Sequence, residues 1–107
     1  MLIHENALVK TDADMPLDRA ALIGCGVTTG VGAVQNTARI HAGETVAVIG
    51  CGGVGLSAIN GAFIAGASKI IAVDLSAKKL NFAKEFGATH VINPNDGDVA
   101  KQVRVLT

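Results

Sequence analysis

The chain has 107 residues, with nine Lys plus Arg against nine Asp plus Glu and a formal net charge of zero. That balance excludes the basic face or polybasic tract that a nucleic-acid or anionic-lipid partner would require. Half of the residues are hydrophobic and 17% charged, which excludes a disordered chain and points to one domain.

A mean hydropathy of +0.44 on so short a chain reads as a truncated piece of something larger, its apolar surface covered elsewhere. No apolar run approaches the roughly 20 residues needed to span a bilayer, so no membrane partner is expected. The N-terminus, MLIHENALVK, lacks the pattern of a secretory leader. With no Trp, no Tyr and three Phe, there is no stacking platform for single-stranded nucleic acid. The two cysteines, Cys25 and Cys51, are too few for a disulfide framework and fit a reduced, cytoplasmic protein.

Residues 1–14 are mixed and extended in character. Pro16 suits a first helical turn, with Asp14 upstream as a cap and Leu17 to Ile23 as the helix. Gly24, Gly26, Gly30 and Gly32 are expected to break up the next stretch, with Val31 to Ala38 a second short helix and a turn at His41-Ala42-Gly43. Thr45-Val46-Ala47-Val48-Ile49 is an apolar, β-branched run of the kind found in buried parallel strands. Gly50-Cys51-Gly52-Gly53-Val54-Gly55 comes directly after it, and Leu56 to Ala65 then reads as a helix closed by Gly66. Lys69 to Asp74 is a second strand ending in a carboxylate. Ser76 can cap a helix with Ala77, Leu80, Ala83 and Phe86 at helical spacing. His90 to Asn93 is a third strand, Pro94 to Gly97 a turn, and Val99 to Leu106 the start of a further helix. The alternation predicts an α/β chain: a partial Rossmann fold with a three-stranded parallel sheet and flanking helices.

A lone GxGxxG is a weak signal, and the same glycines could form a turn without a ligand. Here a buried strand precedes it, a helix succeeds it, the unit from Thr45 to Asp74 has the expected length, and an acid lies about 20 residues beyond. Gly50 permits the tight turn. Gly52 lets the backbone approach a pyrophosphate, with Gly53 beside it in the loop. Gly55 lets the helix pack close to the sheet. The helix N-terminus then offers unpaired N–H groups and the positive end of its dipole to the phosphates. Asp74 would accept hydrogen bonds from the adenosine ribose and repel a 2′-phosphate, favouring NAD over NADP.

The run Leu22-Ile23-Gly24-Cys25-Gly26-Val27-Thr28-Thr29-Gly30, with Val48-Ile49-Gly50-Cys51-Gly52-Gly53-Val54-Gly55, Ile71-Ala72-Val73-Asp74 and Phe86-Gly87-Ala88-Thr89-His90 after it, resembles the zinc-containing alcohol dehydrogenases of the medium-chain family. The likeness covers nearly the whole chain and is closest to the class III branch. It implies that Cys25 is one thiolate ligand of a catalytic zinc that only the full-length enzyme would hold. It also implies that Thr29 and Val54 lie near the nicotinamide, and that Lys79 makes a second ribose contact. His4, His41 and His90 match no ligand position, and Cys51 occupies the variable slot of the glycine motif.

The resemblance further implies that residues 1–40 join a catalytic domain to the coenzyme domain, that residues 41–107 are the N-terminal half of that domain, and that the enzyme is a homo-oligomer acting on a small alcohol or aldehyde. A standalone nucleotide-binding module without catalysis, or an S-adenosylmethionine-binding fold, are the alternatives. The second lacks the acid such enzymes place before their first glycine.

Overall fold

The three apolar runs take the strand conformation expected of them. In the computed structural model, which describes residues 1–107, β1 (Thr45–Ile49), β2 (Lys69–Val73) and β3 (His90–Ile92) form one sheet in the order β1-β2-β3. Both pairings are parallel: Thr45 lies opposite Lys69, Ile49 opposite Val73, and Ile71 opposite His90. The sheet is that of the expected α/β half-fold.

Alternation along β2 divides the core between the two faces of the sheet. Ile70 and Ala72 pack with Ile59 and Ala62 of α3 (Gly53–Ile64), Leu80 and Ala83 of α4 (Ala77–Glu85), and Cys51. Ile71 and Val73 pack with Ile92 under Val99, Val103 and Leu106 of α5 (Val99–Leu106). Ile59, Ile70 and Ile71 are completely buried, and each contributes about 1.5–3 kcal/mol by leaving water. The caps are local: Ser76 accepts the Lys79 N–H at 3.4 Å and Asp98 accepts the Lys101 N–H at 3.2 Å. β1 stands at the edge of the sheet, with Thr45, Ala47 and Ile49 exposed along one side.

The N-terminal third departs from expectation in three ways. Pro16 occupies the N-cap of α1 (Leu17–Leu22) rather than its first turn, and no side-chain cap bond forms there. Gly24, Gly26, Gly30 and Gly32 do not break the helix. α1, a π-turn at Ile23–Val27, α2 (Thr28–Gly32) and a second π-turn at Ala33–Ala38 run on as one helix, Leu17–Ala38. Glycine in a helix costs about 1 kcal/mol relative to alanine, and packing offsets that cost. The helix crosses α3 with Gly30 buried at the contact and Val34 inserted into the core. The Thr28 hydroxyl donates to the Ile23 carbonyl across the first π-turn.

Third, this continuous 22-residue helix is long and apolar enough to cross a membrane by length and composition, contrary to the expectation that no such run exists. It ends at Arg39, whose φ of 53° turns the chain out of the helix.

Candidate functional site

At the C-terminal end of β1 the chain must reverse from strand to helix within three residues. Gly50 does so with a φ of +94°, a conformation that residues with a Cβ rarely adopt, while its N–H donates to the Val73 carbonyl at 2.8 Å. α3 then begins at Gly53, three residues before the expected Leu56, with Gly52 as its N-cap. The glycine motif therefore builds the first helical turn itself. The N–H groups of that turn have no partner within the helix, and they sit at the positive end of its dipole.

The space around each glycine distinguishes their roles. A Cβ on Gly55 would overlap the Gly50 carbonyl and lie 3.7 Å from Val48 Cγ1, so the close approach of helix to strand depends on its absence. A Cβ on Gly52 would meet nothing within 4 Å, and neither would one on Gly53. Those two positions face open space, where a ligand backbone could approach.

Asp74 comes immediately after β2 and spans the opening of this loop. Its Oδ2 accepts the Cys51 N–H at 2.8 Å, and its Oδ1 accepts the Ser76 N–H at 2.8 Å. The Lys79 ammonium lies 4.0 Å from Oδ2. The Cys51 amide is the largest influence holding the carboxyl below the usual carboxylate range, then the Ser76 amide and, more weakly, Lys79. Asp74 thus ties the glycine loop to the start of α4. The spacing argument anticipated the carboxylate but not the Cys51 and Ser76 amides that orient it, because backbone donors leave no mark in sequence.

Cys51, in the variable slot of the motif, is 1% exposed. Burial first, and then the Asp74 charge, push its thiol above the usual range.

A groove of about 550 Å³ opens beside Asp74, between Ile49 and Leu75, with Gly50, Val73, Ser76, Lys79 and Pro94 completing its lining. Ile49 and Leu75 are 82% and 65% exposed, apolar walls on either side of a carboxylate. An adenosine, flat and apolar with a hydroxyl-bearing edge, has the matching chemistry, and the open approach at Gly52 fits a pyrophosphate.

The residues of the long helix form a second locality. Cys25 is an exposed free thiol. It borders a groove of about 300 Å³ with Leu22, Gly53, Leu56 and Phe86, so it faces the start of α3. Thr29 is exposed, and Val54 is 47% exposed in the first turn of α3. No group of three or more His, Cys, Asp or Glu is assembled anywhere in the chain. The residues present do not complete a zinc site.

Comparison with known proteins agrees with this geometry. The family model for the zinc-binding dehydrogenase matches residues 53–107. The chain is 50% identical over 105 residues to the S-(hydroxymethyl)glutathione dehydrogenase of Saccharomyces cerevisiae, covering 98% of this chain and 27% of that protein. It is 48% identical over 97 residues to the class-3 alcohol dehydrogenase of Oryza sativa, covering 91% and 26%. Among solved structures, an alcohol dehydrogenase zinc-binding domain protein from Burkholderia ambifaria superposes with a TM-score of 0.89 at 43% identity, covering 92% of this chain and 27% of the other. The benzyl alcohol dehydrogenase of Acinetobacter calcoaceticus gives 0.89 at 40% identity with the same coverage. The chain spans about a quarter of the length of these relatives. It belongs to the zinc-binding dehydrogenase family.

Proposed function

We propose that this chain is the coenzyme-binding part of an NAD-dependent zinc alcohol dehydrogenase of the class III kind, which converts a small alcohol to its aldehyde or ketone. The observation that carries the reading is the junction of three elements at one point: the glycine turn after β1, the N-terminus of α3, and Asp74 bridging the Cys51 and Ser76 amides.

In this reading residues 41–107 hold the coenzyme and residues 1–40 join them to a catalytic domain. The N–H groups of Gly53, Val54 and Gly55 face the pyrophosphate, and Gly50 and Gly52 keep the approach clear. Asp74 accepts from the ribose hydroxyls, with Lys79 as the second ribose contact. Val54 and Thr29 lie against the nicotinamide. When bound, the nicotinamide ring supplies the carbon that accepts hydride from the alcohol. Cys25 is one thiolate offered to a metal whose remaining ligands this chain does not contain.

Two free cysteines suit a reducing, cytoplasmic compartment, and a homo-oligomer is the assembly in keeping with the resemblance. The methyltransferase alternative draws no support from the relatives, and a standalone nucleotide module would share the loop but not the likeness around Cys25.

Calorimetric titration of the chain with NAD and NADP tests the reading. NAD is expected to bind the tighter of the two, because a 2′-phosphate would meet the Asp74 carboxylate. Equal affinity, or no binding of either, would overturn it.

A further inference from the structure

The long helix and α3 cross backbone to backbone, most closely at one glycine. Gly30 is the buried residue of α2. A Cβ built on it would lie 2.7 Å from the Ala58 nitrogen, and closer still to the Val54 carbonyl oxygen and the Ser57 Cβ. Those are atoms of a helix, not the far end of a flexible side chain, so no local rotation relieves the overlap. Across the crossing, a Cβ on Gly61 of α3 would come within 3.1 Å of Val31 Cα and 3.6 Å of Val34 Cβ, a tighter fit than ordinary contact but a milder one. The other glycines of the long helix are free of this constraint. Gly24 and Gly26 would meet nothing within 4 Å, and Gly32 would meet only the Asn36 amide at 3.7 Å.

The crossing also has a chemical address. Gly30 is next to Thr29 in sequence and touches the backbone of Val54, so it brings together the two residues that the proposed function places at the nicotinamide. Cys25 lies about one turn before Thr29 on the same helix and borders the groove it shares with Gly53. We propose that Gly30 is a positioning residue, whose missing side chain sets the spacing at which Thr29 and Val54 meet the nicotinamide end of the coenzyme. This rests on the coenzyme reading. The Asp74 side of the site is held by separate contacts to the Cys51 and Ser76 amides, so widening the crossing at Val54 moves the nicotinamide end more than the adenosine end.

Titration of the unmodified chain and of Gly30→Ala, Gly61→Ala and Gly32→Ala with NADH and with ADP-ribose, which lacks the nicotinamide, separates these effects, with circular dichroism confirming the fold of each. Gly30→Ala is expected to weaken NADH about tenfold more than ADP-ribose, a factor in keeping with the strain of an inserted methyl. Gly61→Ala should shift the ratio in the same direction by less, and Gly32→Ala should leave both affinities unchanged. Loss of both ligands by the same factor in Gly30→Ala and Gly61→Ala would overturn the proposal, because that is what a purely structural role predicts. Indistinguishable effects of Gly30→Ala and Gly32→Ala would overturn it too, as would equal affinities for NADH and ADP-ribose in the unmodified chain. Should Gly30→Ala not fold, Gly61→Ala carries the same criterion. Failure of the unmodified chain to bind ADP-ribose at all would instead overturn the coenzyme reading on which the proposal stands.

Discussion

The two cysteines sit in two very differently finished regions. Cys51 is sealed in the core, its amide held by Asp74 from 23 residues away. Cys25 is exposed on the long helix and belongs to no cluster of three or more metal-ligating side chains. In the proposed reading, the loop is a device that this chain completes, whereas the thiol of Cys25 is one contribution to a metal site. Substitutions in the loop should change binding by this chain, and substitution of Cys25 should not.

The sharpest way to break the first half of that contrast is Gly55→Ala. The added methyl would overlap the Gly50 carbonyl, forcing helix and strand apart at a cost of about 3 kcal/mol, seen as a large fall in thermal midpoint together with loss of NAD binding. Gly52→Ala is its counterpart. Nothing lies within 4 Å of the new methyl and the φ of −82° suits alanine, so stability should change by about 1 kcal/mol or less through the weaker N-cap. Its NAD affinity should still fall about tenfold, because the methyl occupies the approach to the pyrophosphate. Similar thermal midpoints for the two variants would show that the division of roles among these glycines is wrong.

Asp74→Asn comes next in size. Two backbone N–H groups converge on the carboxylate, and an amide offers one acceptor oxygen while turning a donor toward the other N–H. The substitution should weaken NAD binding by more than about tenfold, since hydrogen bonds to a charged acceptor are among the stronger ones. It should weaken NADP less, because the repulsion of the 2′-phosphate is relieved at the same time. Calorimetry with both coenzymes checks the narrowing gap. In acid, the same latch should fail only below the ordinary carboxylate range: a depressed folded pKa contributes stability that is present at neutral pH and lost as pH falls through it.

The features legible in the sequence and those hidden from it divide by the range of the forces involved. Thr45 to Ile49, Lys69 to Val73 and the helix capped by Ser76 were legible because β-branching, apolar runs and caps act over a few residues. The loop and Asp74 were legible through spacing. The fate of Gly24 to Gly32 was not, since local propensity argues for a break and only the crossing at Gly30 makes a continuous helix favourable. The start of α3 was placed late for the same reason: Gly53 and Gly55 are poor helix formers taken in isolation, and close packing on β1 makes them the right ones. Cys51 looked like a free slot because burial of a loop residue depends on Asp74 and Val73, which are 23 and 22 residues away.

For the second half of the contrast, elemental analysis of the purified chain should find no stoichiometric zinc, and Cys25→Ala should change neither that result nor NAD affinity. One thiolate does not make a site that needs about three protein ligands. Zinc present in the unmodified chain and lost on Cys25→Ala would show that this region is as complete as the loop.

The smallest expected effect concerns alkaline pH and the buried thiol. Burial and the Asp74 charge raise the Cys51 pKa above the ordinary thiol value of 9.0, so the folded chain holds its proton more tightly than the unfolded one. Stability from such a group is fully present below the unfolded pKa and declines as pH rises toward the folded value. Above about pH 9, then, unfolding releases a proton that the native state retains, and denaturant midpoints should fall as pH increases. Cys51→Ala removes the titrating group, and also leaves a small cavity that lowers stability at every pH by about 1–2 kcal/mol. The two consequences are separable because one is a constant offset and the other a slope. Urea titrations at several pH values from about 7 to about 10 should give parallel curves for the two proteins at the low end and a shallower decline for Cys51→Ala at the high end. Equal slopes throughout would show that the thiol is not held neutral by its surroundings, and that the loop is more open than the position of Cys51 implies.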